Sequence, residues 1–215
     1  MRRQRILRTD PYRSVARWYD RLFEPINKDL RLIGLRLFLP KAGMAILDVG
    51  CGTGAHLEFY QRYNCALYGI DASPSMLEQA RKRLQDSANL SRGDASSMPF
   101  EDRSFDLVIA MLALHEMRPA TRSSVISEAK RVLKQSGRIL LIDYHPRPIR
   151  PFKGWLARMI ILLAEVAAGR EHYRNYRQFI ASHGLPALIT EQALVVKKQR
   201  IVGDGALALF LLGLD

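Results

Sequence analysis

The sequence predicts an α/β fold: a doubly wound, mostly parallel, seven-stranded sheet with a C-terminal antiparallel hairpin and a helical lid. Three observations predict it. Apolar strand patterns and helical patterns alternate from residue 44 to residue 143, which reads as a parallel sheet with helices on both faces. The first strand, in "ILDVGCGTGAH", runs into three glycines in five residues, Gly50, Gly52 and Gly54. The tail "QALVVKKQRIVGDGALALFLL" reads as two strands around Gly-Asp-Gly. A hairpin of that kind turns a parallel sheet into a mixed one.

Residues 12–38 have apolar positions Val15, Trp18, Tyr19, Leu22, Phe23, Ile26 and Leu30 at helical spacing, and Pro40 and Gly43 end that region. Then "MAILDVG" is a strand, "AHLEFYQRY" a helix and "CALYGID" a strand. "SPSMLEQARKRLQ" is a helix with Ser73 as N-cap and Pro74 at its first position. "ANLSRGD" and "FDLVIAMLAL" are strands, "TRSSVISEAKRVLK" a helix and "GRILLIDY" a strand. After Tyr144 the pattern changes. "HPRPIRPFKGW" is rich in proline and arginine, "WLARMIILLAEVAAG" is apolar nearly all round, and "EHYRNYRQFIASHGL" is an amphipathic helix closed by Gly184. The expected organisation is a single domain over 1–215. It comprises an N-terminal helical lid (1–40), an α/β core carrying the glycine turn (41–143), a lid insertion (144–185) and C-terminal strands (186–215).

A 48% hydrophobic and 25% charged composition is that of a folded globular chain. Two cysteines, Cys51 and Cys65, are too few for a disulfide scaffold and lack zinc-type spacing, so a reducing cytoplasm is expected. The basic N-terminus has no apolar segment behind it, unlike a secretory signal. No uncharged run reaches the roughly 18–20 residues of a spanning helix. The formal charge of +12 is unevenly spread. Residues 1–36 carry +6, residues 41–143 only +1, and residues 144–177 carry +5. Basic flanks around a neutral core attract phosphate, anionic lipid or an acidic substrate.

A strand, a glycine turn and a helix make a nucleotide site, because bare backbone lets the ligand come close. Asp71 ends the next strand, where an acid can take ribose hydroxyls. The spacing Gly50-Cys51-Gly52-Thr53-Gly54 is not the dinucleotide G-x-G-x-x-G, and there is no phosphate-loop G-K-S/T. Here the chain resembles the class I S-adenosylmethionine-dependent methyltransferases. "LDVGCGTG" looks like their first motif and "GIDASPSMLEQAR" like the second. "GDASSMPFEDRSFDLVIAMLALHEM" is similar to the third and fourth in the ubiquinone/menaquinone-biosynthesis-like (methyltransferase type 11) branch, and "LKQSGRILLID" resembles the last. The match runs in order through residues 44–143.

The resemblance implies a Rossmann-like fold and S-adenosyl-L-methionine as cofactor. It implies that Gly50, Gly52, Gly54 and Thr53 line the methionine part and that Asp48 orients the loop and the amino group. It gives Asp71 the ribose, with Ala72 and Met76 beside it. It gives Asp94 and Ala95 the adenine, and lays Met111 along the cofactor. Cys51, inside the loop, is a small filler of that site rather than a nucleophile.

Methyl transfer needs the acceptor lone pair in line with the methyl, with water kept out. A phenol or activated carbon also gains from a general base. The catalytic candidates are His115 after the fourth strand, Tyr144 after the fifth and Tyr19 in "YRSVARWYD", which resembles the family's opening motif. Glu116, His145, Tyr12, Tyr173 and Tyr176 are further candidates. The fourth strand lacks the Asn/Asp-Pro-Pro-Tyr of adenine amino-methylation, neither cysteine suits cytosine-carbon attack, and Glu116 alone is too little for a magnesium site. No metal is expected.

The acceptor expected is small or lipid-borne, such as a quinone precursor or phospholipid amine. Residues 155–169, rimmed by arginines, suggest a cytoplasmic protein in peripheral contact with an anionic membrane. The alternative is an RNA-binding methyltransferase, or a nucleic-acid-binding protein, using the basic flanks, although no recognised RNA-binding module is read in the sequence. Oligomeric state is not readable. As a lid, residues 1–20 should be dispensable for cofactor binding and needed for turnover.

Overall fold

The computed structural model describes residues 10, 12–14, 16–146 and 169–214, and of residues 22–26 only the backbone. Seven strands form one sheet: β1 (Ala45–Val49), β2 (Ala66–Asp71), β3 (Ala88–Arg92), β4 (Phe105–Met111), β5 (Leu133–Tyr144), β6 (Val195–Val202) and β7 (Leu207–Gly213). Their order is β3-β2-β1-β4-β5-β7-β6. The first five are parallel, and β7 runs antiparallel to both β5 and β6. The expected doubly wound sheet with its terminal hairpin is therefore present. After β1 the chain builds outward to β3, then returns to lay β4 on the other side of β1. The carboxyl ends of β1 and β4 thus flank the point where strand order reverses, which is where open α/β sheets bind ligands.

Strands β1, β4 and β5 read as continuous apolar runs because helices cover both sheet faces. Ile46, Leu47, Leu107, Ile109, Ile139 and Leu140 are all fully buried. β7 is buried along its whole length between β5 and the outer strand. β6 forms the edge, and its Lys197, Lys198 and Arg200 are exposed, charges that discourage pairing with another chain.

The helices are α1 (Ala16–Leu37), α2 (Ala55–Glu58), α3 (Pro74–Leu84), α4 (Pro119–Val132), α5 (Arg170–Ala181) and α6 (Gly184–Glu191). Ser73 caps α3, its side chain accepting from Met76 N–H at 3.1 Å. Three elements differ from expectation. "AHLEFYQRY" breaks into the single turn of α2 and a 3-10 turn, Gln61–Tyr63. Trp18 is 57% exposed, its ring under the Arg21 guanidinium, because the buried stripe of α1 runs through Asn27, Leu30, Arg31 and Leu35. Gly184 does not simply close α5. His183 and Gly184, at φ 63° and 57°, turn the chain into α6. The first residues of the segment expected as C-terminal strands are therefore helical. Leu185, Leu188 and Ile189, spaced by three and one, bury its inner face.

The apolar segment 155–168 and most of the basic stretch before it lie outside the described residues. Among the described residues, no helix is long and apolar enough to cross a membrane.

Candidate functional site

The glycine loop turns from β1 into α2. Gly50 and Cys51 N–H donate to the carbonyl of Ile70, at 2.8 and 3.2 Å, tying the loop to β2. Gly52 N–H donates to Asp71 Oδ2 at 2.8 Å, and Ser73 N–H donates to Oδ1 at 2.8 Å. Two of the glycines are needed for different reasons. At Gly54 (φ 75°) an added Cβ would stand 2.7 Å from Leu84 Cδ1, so glycine permits the packing of α2 on α3. At Gly52 (φ 53°) a Cβ would meet nothing within 4 Å, so the space beside it is open to a ligand.

The N-terminal segment grips the same loop. Thr53 Oγ1 donates to Asp20 Oδ1 at 2.7 Å, and the Arg83 guanidinium pairs with Asp20 Oδ2 at 2.6 Å. Asp10 accepts from Ser73 Oγ at 2.8 Å, from Ser75 N–H at 3.0 Å and from Ser75 Oγ. The start of α3 is thus held from outside by Asp10, whose carboxyl these bonds keep below its usual range despite partial burial.

Above the strand ends lies a cavity of about 460 Å³, within the range of small-molecule sites. One wall carries Asp48, Asp71 and Asp94 at the ends of successive strand segments. Burial pushes the Asp48 carboxyl up to about 7; Arg31 pulls it down and Asp71 adds to the rise. Burial also raises Asp71, against the Ser73 and Gly52 N–H bonds that favour its ionised form. His56, buried on the same cavity, is held neutral down to about 3 by burial and by the charge of Arg31. Neither of its ring nitrogens has a hydrogen-bond partner among the described residues.

The lining also has an aromatic and apolar part. Tyr12 and Tyr19 meet edge to face, with ring centroids 6.1 Å apart, beside Met111, Leu112 and Met117. Leu112 sits at φ 52°, a strained left-handed position just past β4. Tyr12 Oη donates to Glu116 Oε2 at 2.7 Å. Burial, and then the Glu116 charge, raises the Tyr12 hydroxyl well above its ordinary value, so it serves as a donor. Behind this part, His115 Nδ1 lies 2.8 Å from Asp143 Oδ1, and its ring packs against Tyr144 at 4.6 Å between centroids.

The cavity wall includes Tyr19, Asp48, Gly50, Cys51, Gly52, Thr53, Asp71, Ala72, Met76, Asp94, Ala95 and Met111, which the sequence had pointed to. Gly54 is not on that wall. Of the three leading catalytic candidates Tyr19 lines the cavity, as do Tyr12 and Glu116 among the further ones, whereas His115 and Tyr144 are buried beside it. Asn27, Arg31, His56 and Arg92 line it without having been singled out from sequence. Asn27 and Arg31 left a signal: they are one helical turn apart in an otherwise apolar stripe of α1.

A family model described as a methyltransferase domain matches residues 47–141. A demethylmenaquinone methyltransferase of Tropheryma whipplei (strain Twist) is 36% identical over 157 residues, covering 70% of this chain and 65% of that protein. A phosphatidylethanolamine N-methyltransferase of Cereibacter sphaeroides is 27% identical over 206 residues, covering 93% and 94%. A crystal structure of a SAM dependent methyltransferase from Aquifex aeolicus shares the fold, with a TM-score of 0.59, 17% identity and coverage of 85% and 88%. The chain spans only 48% and 65% of the length of the first curated relatives it matches. Together these likenesses support a class I S-adenosylmethionine-dependent methyltransferase of the ubiquinone/menaquinone-biosynthesis-like branch.

Proposed function

We propose that this protein transfers the methyl group of S-adenosylmethionine to a small lipophilic acceptor, a quinone precursor or a phospholipid amine. The observation that carries the reading is one cavity lined both by the acids Asp48, Asp71 and Asp94 and by the aromatic rings of Tyr12 and Tyr19. The acidic part fits the cofactor. Gly52 leaves open space beside a loop of left-handed glycines. Asp48, with its carboxyl near 7, can turn anionic against an ammonium group at little cost.

When bound, S-adenosylmethionine supplies an electrophilic methyl on a sulfonium. The chain's residues do the rest. Asp71 accepts from the ribose hydroxyls and Asp94 from the adenine amine, with Ala95 offering backbone. Asp48 faces the amino group, and Thr53 is held in place by Asp20. Met111 and the apolar part exclude water and aim the acceptor along the cofactor, an orientation effect of about 7–11 kcal/mol in favourable cases. Tyr19 touches the acceptor. A phenolic or carbon acceptor releases its proton where Glu116 stands, since His115 and Tyr144 do not reach the wall. The names of the quinone and phospholipid methyltransferases among its relatives support a lipophilic acceptor. So does the +5 charge of residues 144–177, which favours peripheral contact with an anionic membrane.

The test is a transfer assay with isotope-labelled methyl donor against a cell lipid extract, a quinone-precursor pool and total RNA. Label in the lipid or quinone fraction is expected. Label in RNA alone would overturn the lipophilic acceptor.

A further inference from the structure

We propose that His115, Glu116 and His172 form a binding site for one divalent transition-metal ion beside the cavity, with Glu116 on its wall. Each of the three offers a ligand atom, and these atoms all lie within 4.8 Å of one another. Glu116 Oε2 is 3.8 Å from His172 Nδ1. Ligand atoms around a tetrahedral zinc, each about 2.0–2.1 Å from the metal, are themselves about 3.3 Å apart. On binding the ion the three side chains would therefore turn inward from this spacing.

Asp143 prepares the buried histidine for this role. Its carboxylate accepts from the N–H groups of Leu114 at 3.0 Å, His115 at 3.2 Å and Tyr144 at 2.8 Å. An acceptor so placed takes its fourth hydrogen from His115 Nδ1, at 2.8 Å. The imidazole is then oriented with Nε2 as the ligating nitrogen. Carboxylate, histidine and metal in that series are the arrangement that fixes tautomer and ring direction in metal sites.

The backbone that carries the three ligands is also locked together. Arg122, buried on α4, donates to the Leu114 carbonyl at 2.8 Å and to the Asn175 carbonyl at 2.9 Å. Asn175 Nδ2 donates in turn to the Glu116 carbonyl at 2.6 Å. The loop after β4 is thereby pinned to α5, which brings His172 to its place. Rigid support is what a metal site needs if its ligands are to meet the ion without reordering.

Two imidazoles and one carboxylate suit zinc, cobalt, manganese or iron(II) rather than the all-oxygen sites of magnesium and calcium. Three protein ligands leave a coordination position open, as in catalytic zinc sites. Glu116 lines the cavity, so an ion held there would stand beside the acceptor space, where it could acidify a bound hydroxyl. Binding of the ion stands independently of the acceptor reading.

The test uses the full chain, stripped of metal by chelation and titrated with Co²⁺ under visible absorption and calorimetry. One ion per chain with a ligand-field band is expected. His172→Ala and Glu116→Gln should each weaken binding about tenfold or more, while His183→Asn, which alters an exposed histidine, should not. Circular dichroism checks each variant's fold. If His172→Ala misfolds, Glu116→Gln decides. No stoichiometric binding to the unaltered protein, or equal affinity in the folded variants, would overturn the site.

Discussion

Gly52 N–H donates to Asp71 Oδ2 at 2.8 Å, joining the loop after β1 to the end of β2. The same carboxylate that shapes the glycine loop thus faces the cavity beside it. Asp71→Ala should weaken S-adenosylmethionine binding by about 1.5–3 kcal/mol, the range for hydrogen bonds to a charged group. Calorimetry measures it, and unchanged affinity would remove Asp71 from the cofactor site.

Asp48 should make stability depend on pH. Its carboxyl is near 7 in the folded protein against 3.8 unfolded. A raised value means the protonated form is favoured by folding. The contribution to stability is therefore complete below about pH 4 and is lost as pH rises through about 7, by on the order of 4 kcal/mol. Asp48→Asn should abolish that slope and be more stable than the unaltered protein at pH 8 without cofactor. It should also lose affinity for the cofactor's ammonium group. Urea unfolding at several pH values between 5 and 8 checks the first part; parallel curves for the two proteins would contradict it.

The clasp of α1 on the loop should matter to cofactor binding. Asp20→Ala removes the Thr53 and Arg83 bonds, each worth about 1 kcal/mol net. A loss of about tenfold in cofactor affinity is expected, with Asp29→Ala, an exposed acid on the same helix, as the neutral comparison. The contacts of Asp10 and Asp20 also revise the expectation for the truncation of residues 1–20. It should weaken cofactor binding as well as turnover, and a truncated chain with intact affinity would restore the picture of a separable lid.

The two loop glycines should separate stability from binding. Gly54→Ala places a Cβ 2.7 Å from Leu84 Cδ1 and 3.2 Å from Ala80 Cβ. A loss of about 1–3 kcal/mol in stability is expected from the crowding and the left-handed backbone. Gly52→Ala meets no neighbour, so it should cost about 1–2 kcal/mol from backbone handedness alone. Its larger effect should be on cofactor affinity, because its methyl projects into the open space. Thermal melts and titrations of the pair test this; equal effects on both properties would refute the division.

Much of this protein is local in its determinants. The alternation of strand and helix, the glycine turn, the acid at the end of β2 and the Ser73 cap depend on spacing within a few residues. They were legible because periodicity and turn chemistry act on neighbours in the chain. The cavity wall of Asp48, Asp71 and Asp94 followed from them, since parallel strands deliver their carboxyl ends to one edge of the sheet. The second helix after Gly184 was obscured by the strand-like tail beyond it, although Leu185, Leu188 and Ile189 carried its pattern.

The tertiary structure alone decided which side chains face one another across distant segments. Trp18 and Tyr19 are equally apolar in sequence, yet only the angle at which α1 lies on the sheet puts Tyr19 in the cavity and Trp18 in solvent. His115 reads as a catalytic candidate, but Asp143, 28 residues away, draws its ring behind the wall. The charge of Arg31 reaches both Asp48 and His56 only because folding brings them together where little water screens it. Such relationships depend on direction and solvent access, which chain packing sets and residue spacing does not encode.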